Sequence, residues 1–120
     1  MKKLTAKEEE ILGYFWEKGP LFIRELLDMQ AEPKPHYNTL STMVRILEEK
    51  GYIGYKAYGN TYQYYALVTQ EEYRNRSLKT LVNKYFGNSY TSVVSTLIEE
   101  EKLSVEELQE IIRQIKDQQS

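Results

Sequence analysis

The segment that most constrains the fold of this chain is a stretch dense in aromatic and β-branched side chains, YIGYKAYGNTYQYYALV at residues 52–68. Its centre carries Gly59-Asn60, a pair typical of a tight turn between two antiparallel strands. Successive residues of a strand lie on opposite faces, so one face of such a sheet can pack on helices. Tyrosine suits that face because its ring can be buried while its hydroxyl stays in water. The segment therefore predicts one β-hairpin packed against helices.

Two helical segments come first along the chain. Thr5 with Glu8 three residues later has the spacing of a capping box, and apolar residues follow at helical intervals until Gly19-Pro20 ends the helix. After a short extended piece at Leu21-Phe22, the run IRELLDMQ predicts a second, shorter helix. The sequence PKP at residues 33–35 breaks this second helix.

A third helix is predicted from about Tyr37 to Lys50, closed by Gly51, which is suited to a left-handed helix cap. At about 100° per residue, its apolar arc consists of Leu40, Met43, Val44 and Leu47. The polar residues roughly opposite are Asn38, Ser41, Thr42, Arg45 and Glu49. Solvated faces usually favour long charged or amide side chains, whereas Asn, Ser and Thr compete with the backbone for hydrogen bonds. The polar side is either an ordinary solvated face or a face kept for contact, where Asn and Arg can bond to DNA base edges.

Three helices followed by a hairpin is the order of a winged helix-turn-helix, a fold that is mainly α with a small β-hairpin. Its third helix enters the major groove of DNA. This order favours the contact interpretation and assigns residues 1–68 to a DNA-binding domain. The predicted contacts on helix three are Asn38, Ser41, Thr42 and Arg45, preceded by His36 and Tyr37. Those on or near the hairpin tip, where a wing would meet phosphates, are Lys56, Tyr58 and Asn60, with Tyr62 beside them.

Residues 69–120 predict three more helices, from about Gln70 to Phe86, Ser89 to Glu101 and Val105 to Asp117, the first and last preceded by capping-box pairs. The last two helices carry more apolar side chains than they can bury on themselves, and an exposed patch of that size is unusual on a monomer. We therefore predict that this region forms a homodimer. The predicted interface residues are Val94, Leu97, Ile98, Leu103, Leu108, Ile111, Ile112 and Ile115.

The charge is unevenly distributed, although the net charge of the 120 residues is only -2. Residues 34–63 and 64–90 each hold four basic and two acidic residues, whereas 1–33 hold five against seven and 91–120 three against seven. An acidic balance argues weakly against nucleic acid, because neutralised phosphates supply most non-specific affinity. The basic middle nevertheless predicts one surface that meets an anion.

Composition and motifs exclude several other classes of protein. The chain has no cysteine, which excludes disulfides, zinc ribbons and thiol nucleophiles. None of the common phosphate-binding, dinucleotide-binding, zinc-protease or serine-hydrolase motifs occurs, so we predict neither an enzyme nor a cofactor. The apolar runs are short and the amino terminus turns acidic at once, which predicts a soluble cytoplasmic protein without a membrane partner.

Two residue types invite other functions. His36 is the chain's lone histidine, and it can be a metal ligand or pH switch, but without a second His or Cys we favour helix capping or a phosphate contact and predict no metal site. Seven of the eleven tyrosines lie between Tyr52 and Tyr73, a density that also occurs where proteins stack single-stranded bases. Core packing and cross-strand pairing explain most of them, with Tyr58 at the turn as the exception.

The segment YNTLSTMVRILEEKGYI, with TAKEEEILGYFW before it and QYYALV after it, resembles the penicillinase-repressor family of bacterial transcription regulators. The likeness extends to the carboxy-terminal VVSTLIEEEKLSVEELQEI. It implies a winged helix that binds an operator palindrome and carboxy-terminal helices that form the dimer. It also implies that Asn38, Thr39, Ser41, Thr42 and Arg45 occupy the groove-facing stretch of the recognition helix.

The resemblance bears on regulation as well. Some relatives are inactivated by a regulatory protease at an Asn-Phe bond, and aligning EKLS places that bond at Thr96-Leu97 here, so both residues depart from the family's pair. A copper-sensing branch uses carboxy-terminal Cys-x-Cys pairs, which this chain lacks. Two functions stay open: a dimeric repressor of transcription that binds operator DNA, and a winged-helix module for protein interaction without specific DNA binding.

Overall fold

The computed structural model describes residues 2–119 of the chain, with side-chain environments through residue 117. The chain divides into two compact units, one up to Arg74 and one from Asn75 onward. We call them unit one and unit two.

Unit one has the element order expected of a winged helix. It contains α1 Ala6–Lys18, β1 Leu21–Phe22, α2 Ile23–Asp28, α3 Tyr37–Glu49, β2 Ile53–Tyr58, β3 Thr61–Ala66 and the first turn of α4, which begins at Gln70. The predicted capping box of α1 is confirmed, since Thr5 Oγ1 accepts the Glu8 amide at 3.1 Å and Glu8 Oε1 accepts the Thr5 amide at 2.8 Å. The helix α2 is two residues shorter than predicted, because the chain leaves the helix at Met29 and the side-chain amide of Gln30 donates back to the Leu26 carbonyl at 2.9 Å.

The sheet has three strands rather than the two of the predicted hairpin. The extended piece Leu21–Phe22 pairs antiparallel with β3, opposite Tyr64 and Gln63, which gives the strand order β1-β3-β2. The predicted turn is confirmed: Tyr58 pairs with Thr61, and Gly59 between them has a φ of 61°. A positive φ at the first central residue is what a two-residue type II′ turn requires, and glycine adopts it without strain.

The core of unit one lies between the three helices and one face of the sheet. The apolar arc of α3 is confirmed, since Leu40, Val44 and Leu47 are fully buried and Met43 packs against them half-buried. Ile53 and Tyr64 cover this core from the sheet. Because the apolar arc of α3 is fixed against the core, the opposite arc faces outward.

A buried ion pair joins the start of α1 to the end of α3. Lys50 Nζ lies 2.7 Å from Glu8 Oε1 and also donates to the Lys3 carbonyl at 3.0 Å. The Glu8 side chain is 7% exposed and that of Lys50 is 21% exposed. The hydrogen bond from Lys50, together with the Thr5 amide, lowers the pKa of the Glu8 carboxyl. The amino-terminal segment is thereby tied to the carboxy-terminal end of α3.

Unit two consists of the rest of α4, which ends at Phe86, together with α5 Tyr90–Glu99 and α6 Val105–Gln119. The predicted bounds of α4 are confirmed, whereas α5 begins one residue and ends two residues inside its prediction, and α6 runs two residues further. Ser89 caps α5 by accepting the Ser92 amide at 3.1 Å. Val82 is fully buried, while α5 has no buried residue.

The end of α5 places a glutamate where glycine is usual. Glu101 has a φ of 59°, and the amides of Lys102 and Glu101 bond to the carbonyls of Leu97 and Ile98 at 2.9 and 3.0 Å. This is the pattern of a Schellman cap, whose left-handed residue costs about 1 kcal/mol or more unless it is glycine.

We expect Glu101→Gly to raise the free energy of unfolding by about 1 kcal/mol, because it relieves this backbone strain. Urea unfolding followed by circular dichroism measures the change. Glu99→Gly is the matched control, since it removes the same charge but places glycine inside the helix, and it should destabilise the protein. Equal effects of the two substitutions would show that charge, and not backbone strain, governs this helix end.

Candidate nucleic-acid interface

Nine of the ten residues predicted to contact DNA are exposed in unit one. They are His36, Tyr37, Asn38, Thr39, Thr42 and Arg45 on or before α3 and Lys56, Tyr58 and Asn60 on the hairpin. The amino-terminal half of α3 therefore presents polar side chains to solvent opposite its buried arc. The hairpin presents a second set of polar side chains to solvent.

An open cleft of about 310 Å³ lies between α3 and the hairpin. It is lined by Ile23, Tyr37, Asn38, Ser41, Arg45, Asn60, Thr61, Tyr62 and Tyr64. Five predicted contact residues thus meet around one cleft, namely Tyr37, Asn38, Ser41, Arg45 and Asn60. The other five do not line it, namely His36, Thr39, Thr42, Lys56 and Tyr58.

Ser41 differs from its predicted position on the solvated side, because it is only 8% exposed. At about 100° per residue it lies about 60° from Val44 and 100° from Leu40, so it sits at the edge of the apolar arc. Ile23 of α2 and Tyr62 and Tyr64 of the hairpin line the same cleft as Ser41. The helical pattern alone does not show which edge of an amphipathic helix the neighbouring elements will bury.

Sequence reasoning left Thr61 and Tyr64 out of the predicted contact set. Both line the cleft. The alternation of side chains along a strand could have identified Tyr64, because Tyr62 and Tyr64 lie two residues apart and therefore share a face of β3. The register confirms it by placing them opposite Ala57 and Tyr55 on β2.

Tyrosine rings form the sheet side of this site. The Tyr55 and Tyr62 ring centroids are 4.7 Å apart, and Tyr55 and Tyr64 are 6.1 Å apart. Cross-strand pairing therefore accounts for several tyrosines, as predicted. Exposure does not separate Tyr58 from the paired rings, because Tyr55, Tyr62 and Tyr65 are also exposed, at 49%, 47% and 38%.

Tyr64 closes the inner end of the site with a neutral hydroxyl. Burial raises its pKa, and the nearby Glu48 charge raises it further while Arg45 opposes the shift. Glu48 is half-buried, and its Oε2 atom has no hydrogen-bond partner among the described residues. Arg45 lines the cleft together with Tyr62 and Tyr64, which places it on the hairpin side of α3.

Thr42 and His36 differ in how their side chains bond to α3. Thr42 Oγ1 donates to the Asn38 carbonyl at 2.9 Å, so toward a ligand this hydroxyl can only accept a hydrogen bond. His36 occupies the N-cap position, but its side chain makes no capping hydrogen bond. The expected side-chain cap is therefore wrong, and the exposed imidazole leaves the phosphate contact as the alternative that sequence analysis offered.

The other face of the hairpin carries Lys56 and Tyr58 with Phe22 from β1. Lys56 Nζ lies 5.4 Å from the Tyr58 ring centroid, and the Phe22 and Tyr58 centroids are 5.8 Å apart. These contacts hold one cation over the Tyr58 ring, on the side of the hairpin away from the face that carries Tyr62 and Tyr64.

Unit two presents the apolar side chains that were predicted to form a dimer. Leu97, Ile111, Ile112 and Ile115 are 40–48% exposed, and Val94, Ile98, Leu103 and Leu108 are half-buried. Three apolar residues of α4 that were not in the predicted set are exposed as well, namely Leu78, Leu81 and Tyr85 at 47%, 42% and 68%. Their spacing of three and four residues places them on one stripe, a signal that the sequence already contained.

Across residues 2–119 no helix combines the length and apolar character needed to cross a membrane.

A family profile described as "Penicillinase repressor" matches residues 4–117. The chain belongs to this family. A relative from Staphylococcus aureus strain N315, the methicillin resistance regulatory protein MecI, is 29% identical, and the match covers 91% of this chain and 89% of that protein. The penicillinase repressors of Staphylococcus aureus and Bacillus licheniformis are 23% and 22% identical, over 94% and 92% of this chain and 93% and 90% of their own. The resemblance inferred from the residues is thereby confirmed, and the winged-helix order of unit one agrees with it.

Proposed function

We propose that this protein is a dimeric transcriptional repressor that acts in the cytoplasm and binds a palindromic operator. Its relatives are named as repressors and as a resistance regulator. The observation that carries the proposal is the polar character of the exposed arc of α3. The hairpin lies beside this arc, and residues of both line one open cleft. A helix of this kind fits the major groove of B-DNA, and its Asn, Thr and Arg side chains suit base edges and phosphates.

In this proposal α3 is the recognition helix and the hairpin contacts the backbone. Asn38, Thr39 and Thr42 are exposed at the amino-terminal half of the helix, the half that contacts bases in helix-turn-helix proteins. Lys56, Tyr58 and Asn60 are exposed at the hairpin. His36 and Tyr37 precede these residues and are available to a phosphate at the helix start.

We propose residues 69–120 as the dimerisation region and residues 1–68 as the DNA-binding domain. The apolar residues of α4, α5 and α6 described above are exposed, and a second copy would cover them. A two-fold dimer holds two recognition helices for two half-sites, which matches a palindrome. A regulatory protease acting at Thr96-Leu97 stays a prediction, and that bond lies inside α5.

The test is binding to the DNA upstream of the protein's own gene, compared with a shuffled duplex of the same length and composition. We expect the upstream DNA to bind more tightly by at least about a thousandfold, and to stay bound at salt concentrations that release the shuffled duplex. Equal affinity for both duplexes at every salt concentration would favour the rival function, a winged-helix module for protein interaction.

A further inference from the structure

The cleft between α3 and the hairpin divides the proposed contact residues into two groups. At about 100° per residue, Arg45 lies about 20° from Asn38 on the side of Ser41, whereas Thr42 lies about 40° from Asn38 on the other side. The cleft lining agrees with this division, because it includes Ser41 and Arg45 and omits Thr39 and Thr42. Arg45 is therefore turned toward the hairpin, and the two threonines are turned away from it.

The lining suits an anion. Of the nine lining residues, all within the described part of the chain, Arg45 alone carries a charge. The opposite wall offers the Asn60 amide and the Tyr62 hydroxyl, which can both donate hydrogen bonds. A guanidinium facing neutral donors across an open cleft matches phosphate oxygens, which accept several bonds at once.

We propose that this cleft holds the sugar-phosphate backbone of one DNA strand, and that Arg45 is a phosphate-positioning residue and not a base-reading one. The inference rests on the proposed DNA-binding function and deepens it. A helix in the major groove and a hairpin beyond the groove's rim are separated by the strand that forms the rim, so that strand passes between them. Base recognition is then left to Thr39 and Thr42, with Asn38 at the boundary between the two groups.

The division predicts opposite behaviour for two substitutions. Arg45→Ala should weaken binding to the upstream DNA and to the shuffled duplex by the same factor, roughly tenfold, and should lower the salt dependence of log K by about one unit for both. Thr42→Val, which keeps the shape of the side chain, should weaken binding to the upstream DNA alone and leave the salt dependence unchanged. Arg45→Lys should restore most of the salt dependence, because a phosphate accepts any cation whereas a guanine edge favours the guanidinium fork.

Lys7→Ala is the matched control for charge. Lys7 is exposed on α1, pairs with Glu10 at 3.4 Å and does not line the cleft, so its loss should leave both affinities within about twofold of wild type. Because Arg45 and Lys7 are both exposed, the variants should fold, and circular dichroism checks this. If Lys7→Ala lowered the DNA affinity as much as Arg45→Ala does, the loss would come from net charge and not from the position of Arg45, and the inference would be overturned.

Methylphosphonate substitution locates the contact. Single phosphates of the upstream DNA are replaced, one at a time, by neutral methylphosphonates. At one phosphate position per half-site, the replacement should abolish the difference in affinity between wild type and Arg45→Ala. If Arg45→Ala instead weakens only the upstream DNA and leaves the shuffled duplex unaffected, Arg45 reads a base and the inference is wrong. If wild type binds both duplexes equally, the repressor proposal fails, yet the salt dependence on the shuffled duplex still decides the role of Arg45. Absence of any DNA binding at low salt would overturn both.

Discussion

The double substitution Leu108→Asp with Ile112→Asp should convert the protein to a monomer and weaken operator binding by about 100-fold or more. Ile112 is 44% exposed and Leu108 half-buried, and the two lie one helical turn apart on the apolar side of α6. Burying two carboxylates in a dimer interface is strongly unfavourable. A monomer must bind each half-site separately, so it loses the gain that comes from making the second contact intramolecular. Sedimentation and operator binding measured on the same samples test both effects.

Gln109→Asp with Gln114→Asp is the matched control, because it adds the same charge to exposed polar positions of α6. This variant should stay dimeric and bind DNA nearly as wild type does. Wild-type operator affinity for the Leu108 and Ile112 double variant would show that this face of α6 does not hold the dimer together. A wild-type protein that sediments as a monomer at tens of micromolar would contradict the dimer itself, since such a concentration is thousands of times above a typical specific DNA affinity of about 10 nM.

Lys50→Met should lower the free energy of unfolding by about 2 kcal/mol, because it leaves the buried Glu8 carboxylate without its cation. The pKa of Glu8 is lowered in the folded protein, mainly by the Lys50 bond. The stabilisation is therefore fully present above the unfolded pKa, near 4.5, and disappears as pH falls through the lower folded value. The difference between wild type and Lys50→Met should accordingly be large at pH 7 and shrink below about pH 4. Chemical unfolding at several pH values measures it.

Glu8→Gln combined with Lys50→Met provides the control for this pair. A neutral amide oxygen can still accept the Thr5 amide that Glu8 Oε1 accepts at 2.8 Å, and it leaves no buried charge. The double variant should therefore be more stable than Lys50→Met alone. If the pH dependence of Lys50→Met matched that of wild type, the ion pair would not be the source of the stabilisation.

The local chemistry of the chain made most of unit one predictable from sequence. The capping box at Thr5, the turn at Gly59 and the apolar arc of α3 each depend on residues close in sequence, and each appears where it was predicted. Pairing of β1 with β3 was not predictable in the same way. It joins Leu21 to Tyr64, which are far apart in the sequence. Two extended residues are too few to indicate which strand they will pair with.

The candidate site was predictable in composition but not in its internal division. Residue type and helical angle identified the polar arc of α3, whereas tertiary packing decides that Ser41 is buried and that Arg45 lines a cleft. In unit two, the spacing of Leu78, Leu81 and Tyr85 on α4 contains the exposed stripe, but the spacing alone does not show whether a stripe is buried within its own unit or exposed.

The covered position of Ser41 limits how a repressor of this shape could be given a new operator. Ser41 is only 8% exposed, so a larger side chain there would displace the groups packed around it and disturb binding at every half-site alike. A library intended to change base preference should keep Ser41 fixed and vary Thr39 and Thr42, which are exposed and lie outside the cleft. Variants selected from such a library should then differ in the operator sequence that they bind, whereas their contacts with the DNA backbone should stay the same.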